Sequence, residues 1–169
     1  PTVEATNKNE KNEEKHVLGI EKELFTVATG EVIALTDVND PVFSQKMMGD
    51  GFAVIPATGE VTAPLSGKIV SVFPTKHAIG MQTAEGAEVL IHMGLDTVQM
   101  SQPAFEILVS EGQEVVAGTT IAQMNLDAIK NEGKETTIIV VFTDDKVNGL
   151  TINKLGDTER GTVIGKINL

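Results

Sequence analysis

From Val17 onward, short apolar runs alternate with Gly, Pro and Asn/Asp clusters every ~8–12 residues, the pattern of an all-β chain. The runs predict strands over Leu24–Ala28, Glu31–Ile33, Phe52–Pro56, Gly59–Thr62, Gly67–Phe73, Ala78–Gln82, Glu88–Met93, Phe105–Val109, Thr120–Met124, Thr137–Phe142 and Thr162–Ile167. Thr136–Phe142 is the richest in β-branched and aromatic residues, the types that fit a pleated surface. Glycines at 59, 67, 86, 112, 118 and 161 stand where turns are needed.

Two short helical turns interrupt the pattern. Asn39-Asp40-Pro41 sets a capping residue ahead of a proline at the first helical position, and Gly49 closes that segment. Asn125 or Asp127 opens a second through Ala128-Ile129-Lys130, ahead of Gly133. Weak echoes recur: Gly30-Glu31-Val32 as Gly59-Glu60-Val61, and Glu85-Gly86-Ala87-Glu88-Val89 as Glu111-Gly112-Gln113-Glu114-Val115. Their offsets differ, which excludes a solenoid and suits a β-sandwich or barrel reusing one turn chemistry. Residues 1–16 differ in texture: Glu, Lys and Asn dominate, and so little apolar surface does not offset the entropy of ordering. They read as a flexible linker or tail, with His16 solvated at its edge, ahead of one domain over 17–169.

Composition narrows the classes. The chain has 169 residues, 41% of them hydrophobic, enough for one core, and no run long enough to span a membrane. A net charge of −11 argues against nucleic acid, which needs clustered Lys and Arg, and the absence of Trp and Tyr removes the best base-stacking platforms. The same charge suits a basic protein partner. With no cysteine there is neither a disulfide nor a thiolate metal site, which fits the cytoplasm. Nothing calls for a cofactor. No signal peptide is visible, and Pro1 in place of Met fits a fragment or a processed product.

Candidate chemistry centres on Val89–Thr97, VLIHMGLDT. With a period of two, Val89, Ile91, Met93 and Leu95 form a core face, and His92 points the other way, sharing its face with Leu90 and, if the strand runs that far, Asp96. Gly94 allows close approach of a backbone or ligand. His77 lies fifteen residues upstream, a separation that places two residues side by side in antiparallel strands. If its segment is extended, Thr75 shares its face, and a hydroxyl beside an imidazole fixes its tautomer. Two imidazoles suit zinc with Asp96 as a third ligand, acid–base hydrolysis, or nucleophilic catalysis by histidine itself. Spacing alone leaves all three open, although neither a zinc motif nor a Gly-x-Ser-x-Gly elbow is present.

Four stretches carry a resemblance: Pro74-Thr75-Lys76-His77-Ala78; Ile91 to Val98; Lys46-Met47-Met48-Gly49-Asp50-Gly51; and Ala63-Pro64-Leu65-Ser66-Gly67. Together they resemble the glucose-family enzyme IIA of the bacterial phosphoenolpyruvate–sugar phosphotransferase system, from about Leu24 to Ile167. Met93 departs from the family's common Phe. The resemblance implies an antiparallel β-sandwich with Greek-key and jelly-roll connections. It implies a phosphocarrier in which His92 accepts a phosphoryl group on Nε2 from phospho-HPr, His77 hydrogen-bonds its oxygens, and Thr75 orients His77. The group would pass to a IIB domain during sugar uptake, with regulation of partners by phosphorylation state as a further role. Pro41, Val42, Phe43, Met47, Met48 and Phe73 match the family's docking rim, Leu90 is a further candidate, and Asp40 and Asp96 resemble its acidic residues that meet partner arginines. The tail suggests tethering to a membrane permease.

Two rivals stand beside this reading. A biotinyl or lipoyl carrier shares Ala63–Val70 and Glu111–Val115 but needs a lysine where the chain reads Ala122–Asp127. A zinc peptidase needs histidines that the sequence lacks.

Overall fold

A computed structural model describes residues 20–169; the linker expected over 1–16 lies outside them. Among the described residues the strands run β1 (Glu21–Phe25), β2 (Gly30–Ala34), β3 (Asp50–Pro56), β4 (Glu60–Thr62), β5 (Gly67–Val72), β6 (Ala78–Gln82), β7 (Glu88–Met93), β8 (Phe105–Ile107), β9 (Glu114–Val115), β10 (Thr120–Met124), β11 (Ile138–Phe142), β12 (Gly149–Ile152), β13 (Gly156–Thr158) and β14 (Val163–Asn168). Two short helices, α1 (Pro41–Ser44) and α2 (Leu126–Asn131), and 3-10 turns at Leu35–Asp37 and Thr97–Gln99 complete the elements.

Every strand pairing is antiparallel. An eight-stranded sheet, ordered β13-β2-β3-β11-β7-β6-β5-β9, faces two three-stranded sheets, β1-β14-β12 and β4-β10-β8. The neighbours β3–β11 and β11–β7 are far apart in sequence, so the chain crosses between layers as Greek-key connections do. The main core lies between the layers, with Phe52, Val54, Ile91, Met93, Ile138 and Val140 of the large sheet against Leu24, Ile121, Ile164 and Ile167. All-β antiparallel architecture is as the sequence predicts.

A second, smaller core lies on the other face of the large sheet, where Ala53, Ile139 and Val141 meet Leu35, Val38, Phe43 and Leu95. This explains why β11 is buried at every position: alternate residues of Ile-Ile-Val-Val-Phe serve opposite cores. Cover for the second core comes from the Leu35–Asp37 turn and α1. Asp40 caps α1 by accepting from the Val42 backbone N–H at 2.9 Å, Pro41 follows at the first helical position, and Phe43 points inward. The helix ends at Ser44, earlier than the span to Gly49 suggests, and turns carry the chain to β3. There Gly49 lies so close to β11 that a Cβ would sit 1.9 Å from the Phe142 carbonyl oxygen. At the second helical site Asn125 is the cap, its side chain accepting from the Ala128 N–H at 3.0 Å.

Candidate active site

The register of three strands places the two histidines. His92 on β7 pairs with Ile139 of β11 on one side and Ala78 of β6 on the other. Ile139 belongs to the second core, so His92 projects onto the face that α1 partly covers. The expected outward direction is right in sense, but the surface there is not bare. The Phe43 ring lies 5.1 Å from the His92 ring, between centroids, and His92 is half-buried.

His77 immediately precedes β6, and its carbonyl accepts from the Met93 N–H at 2.8 Å. This fixes the antiparallel neighbourhood expected from the fifteen-residue separation. The two imidazoles meet edge to face, 4.9 Å between centroids and 79° between planes. Phe73 and His77 form a T-shaped pair, 5.5 Å between centroids, and His77 itself is 6% exposed. The segment before β6 is a turn, not an extended strand: the Lys76 N–H donates to the Phe73 carbonyl at 2.7 Å, and Lys76 adopts a left-handed φ of +62°. Thr75 nonetheless reaches the Nδ1 of His77 with its hydroxyl.

Strand β7 ends at Met93, and Gly94 (φ +84°) and Asp96 (φ +58°) turn the chain sharply. Two expectations change as a result. Leu95 leaves the Val89-Ile91-Met93 face and joins the second core, and Asp96 sits exposed in the turn instead of on the strand face of His92. The turn also brings the Gly94 carbonyl under His92, where it accepts a hydrogen bond from Nδ1 at 2.8 Å. A carbonyl oxygen only accepts, so Nδ1 carries the proton and the neutral ring keeps its lone pair on Nε2.

Burial, followed by the neighbouring His77, lowers the His92 pKa to about 4, against smaller opposing effects of the Gly94 hydrogen bond and the carboxylates of Asp40 and Asp96. Burial also lowers the pKa of His77. Both rings are neutral near pH 7, as a histidine nucleophile requires.

Phe73, beside His77, is 37% exposed, and on α1 and in the turns that follow it Val42, Met47 and Met48 are exposed apolar side chains at 42%, 70% and 40%, with Pro41 exposed beside Val42. Two residues named for the rim sit deeper: Phe43 is 6% exposed in the second core, and half-buried Leu90 packs against that core through its β11 partner Val141. Asp40 is half-buried. Val98, 49% exposed just past Thr97, is an apolar surface residue that the periodicity did not mark, because it follows a turn and belongs to no strand. The Gly94 carbonyl also escaped sequence reading, since a backbone acceptor has no side-chain signature; the run Gly94-Leu95-Asp96 after a strand was its only trace.

A pocket of about 310 Å³ flanks the site, lined in part by Thr75, Lys76, Thr97 and Val98. A larger one, about 630 Å³ between β8, β10 and α2, contains no histidine. Among the described residues no three His, Asp or Glu side chains gather as a metal would need. Ala122–Asp127, where a lipoyl-type carrier would present its lysine, is the end of β10 running into the cap of α2. Among the described residues no helix is long and apolar enough to cross a membrane.

Residues 22–147 match the family of the phosphoenolpyruvate-dependent sugar phosphotransferase system described as EIIA 1. The chain is 47% identical over 155 residues to the glucose-specific EIICBA component of Streptococcus pneumoniae, covering 91% of this chain but only 21% of that protein. It is 46% identical over 121 residues to a glucose-specific EIIA component of Staphylococcus aureus, covering 72% of this chain and 73% of the relative. The solved glucose permease IIA from Mycoplasma capricolum superposes with a TM-score of 0.82 at 37% identity, covering 87% of this chain and 96% of that one. The chain belongs to the EIIA 1 family of the phosphoenolpyruvate-dependent sugar phosphotransferase system.

Proposed function

We propose that this domain is a phosphohistidine carrier that takes a phosphoryl group from phospho-HPr onto Nε2 of His92 and passes it to a IIB domain during sugar uptake. The observation that carries the proposal is the Nδ1–H bond from His92 to the Gly94 carbonyl, which leaves Nε2 as the free nucleophile beside a second, buried imidazole.

In the step, the Nε2 lone pair forms the N–P bond as the bond from phosphorus to the donor breaks. The proton on Nδ1 stays in place, so the phosphorylated ring carries a formal positive charge. The Gly94 carbonyl and the carboxylates of Asp40 and Asp96, which favour a charged ring, stabilise it. Thr75 donates its hydroxyl proton to Nδ1 of His77, which leaves the His77 Nε2–H to donate to a phosphoryl oxygen. The positive ring makes the group easy to give up, as a carrier requires.

Both transfers occur between proteins, so the nucleophile must lie under a surface that a partner can cover. Val42, Met47, Met48, Phe73 and Val98 supply apolar area, and methionine suits a patch that fits two partners. Asp40 and Asp96 meet arginines of those partners. The glucose-specific names of the relatives make glucose uptake the first choice of pathway, and the multidomain pneumococcal relative supports tethering of residues 1–16 to a permease. Incubation with phosphoenolpyruvate, enzyme I and HPr tests the reading: an acid-labile phosphoryl adduct should form and pass to a IIB domain, and a chain that takes up none refutes it.

A further inference from the structure

The acceptor that fixes the His92 tautomer is a backbone carbonyl in a tight turn, so something must hold the turn. Its outer side is pinned to the lead-in of β11: the Gly94 N–H donates to the Thr137 carbonyl at 2.8 Å and the Leu95 N–H to the Glu135 carbonyl at 3.0 Å. Its inner side rests on one side chain. Thr97 is 1% exposed, and its hydroxyl donates to the Met93 carbonyl at 2.5 Å, closing a loop around Gly94 from the residue after His92. Its methyl carbon sits so close under Gly94 that a Cβ there would lie 2.3 Å away, and Gly94 is at φ +84°, where glycine is favoured. Gly94 and Thr97 therefore form a matched pair, one lacking the side chain that the other's methyl displaces.

We propose that Thr97 is a positioning residue for phosphoryl transfer, its buried hydroxyl holding the turn whose Gly94 carbonyl keeps Nδ1 of His92 protonated and Nε2 free. The proposal rests on the reading of His92 as the acceptor. Thr97 touches neither the phosphoryl group nor the reacting nitrogen; it acts through Gly94. Removing the hydroxyl strips the buried Met93 carbonyl of that partner, and a buried acceptor left without a partner favours rearrangement of the turn. The Gly94 oxygen then moves away from Nδ1, and the two neutral tautomers of His92 become closer in population.

The test compares Thr97→Val, which keeps the shape and removes the hydroxyl, with Thr97→Ser, which keeps the hydroxyl. Two readouts are taken on the full chain: the ¹⁵N shifts of the His92 ring at pH 7, which report the tautomer, and the rate of phosphoryl uptake from phospho-HPr. Thr97→Val should show a mixed tautomer and uptake slower by about tenfold or more, since an ångström of misplacement costs roughly 10²-fold. Thr97→Ser should show the wild-type tautomer and uptake within about threefold of wild type, a difference of little more than half a kcal/mol by the rate relation. A folded Thr97→Val with wild-type tautomer and rate overturns the proposal. So does a Thr97→Ser that loses the Nδ1–H tautomer, a result that is decisive even if Thr97→Val does not fold. Absence of uptake by the wild-type chain strikes at His92 as acceptor instead, while the tautomer comparison still decides the role of Thr97.

Discussion

His92 donates from Nδ1 to the carbonyl of Gly94, two residues further along the chain, at 2.8 Å. That single bond decides which ring nitrogen keeps its lone pair, and it exists only because β7 stops one residue after His92. Its neighbours set the second condition, that the ring be uncharged.

Burial depresses the His92 pKa to about 4, so the folded protein resists protonation of this ring in the range where an unfolded histidine already binds a proton. The sign follows from linkage. Between pH 6.5 and about 4 the unfolded chain holds the extra proton, so stability is full above pH 6.5, falls as pH drops through that window, and levels off, for this group, below about 4. The loss is on the order of 3 kcal/mol, and His92→Gln should remove that part of the slope. An NMR titration checks the premise: His92 should titrate near pH 4, and a midpoint near 6.5 contradicts the account.

Phe43→Ala separates packing from charge. The Phe43 ring covers His92 and fills the second core, so the truncated protein should lose roughly 3 kcal/mol or more in chemical denaturation. Because burial is the largest cause of the low His92 pKa, the same variant should raise it toward 6.5. Unchanged titration in a destabilised protein means that Phe43 contributes only packing.

His77→Gln should accept the phosphoryl group and transfer it poorly to IIB. The imidazole that packs against His92 is replaced by an amide on a different stem, while the Nδ1–Gly94 bond is untouched. Single-turnover transfer to a IIB domain checks this, and a wild-type rate removes His77 from the mechanism.

Met47 is 70% exposed, so Met47→Asp should change stability by no more than about 0.5 kcal/mol. The new charge should raise KM for phospho-HPr while kcat moves little, because it alters docking and not the reacting nitrogens. Steady-state kinetics decide: an unchanged KM places Met47 outside the partner surface.

The strands that hold the site were readable because they are strongly patterned. Along β7, Val89, Ile91 and Met93 alternate with Glu88, Leu90 and His92, and Ile138–Phe142 is an unbroken apolar run because both of its faces are covered. By contrast β9, β12 and β13 escaped, being two to four residues long and rich in Gly, Asp, Glu or Thr; their pairing is set by the neighbours β5, β14 and β2. Period-two reasoning placed Leu95 on the wrong face, since it holds only while φ and ψ stay extended, and Gly94 ends that. Exposure of Phe43 was likewise not legible, because a helix of four residues gives too few positions to distinguish an inner from an outer face. The pairing of His77 with Thr75 was foreseen for an extended segment and is made instead by a turn.

The central claim is that Nε2 of His92 is the phosphoryl acceptor. Its most direct test is ³¹P–¹⁵N correlation on ¹⁵N-histidine-labelled protein phosphorylated through phosphoenolpyruvate, enzyme I and HPr. The account predicts phosphorus coupled to Nε2 of His92, with the proton still on Nδ1. Phosphorus on His77, on Nδ1 of His92, or on no histidine nitrogen contradicts it.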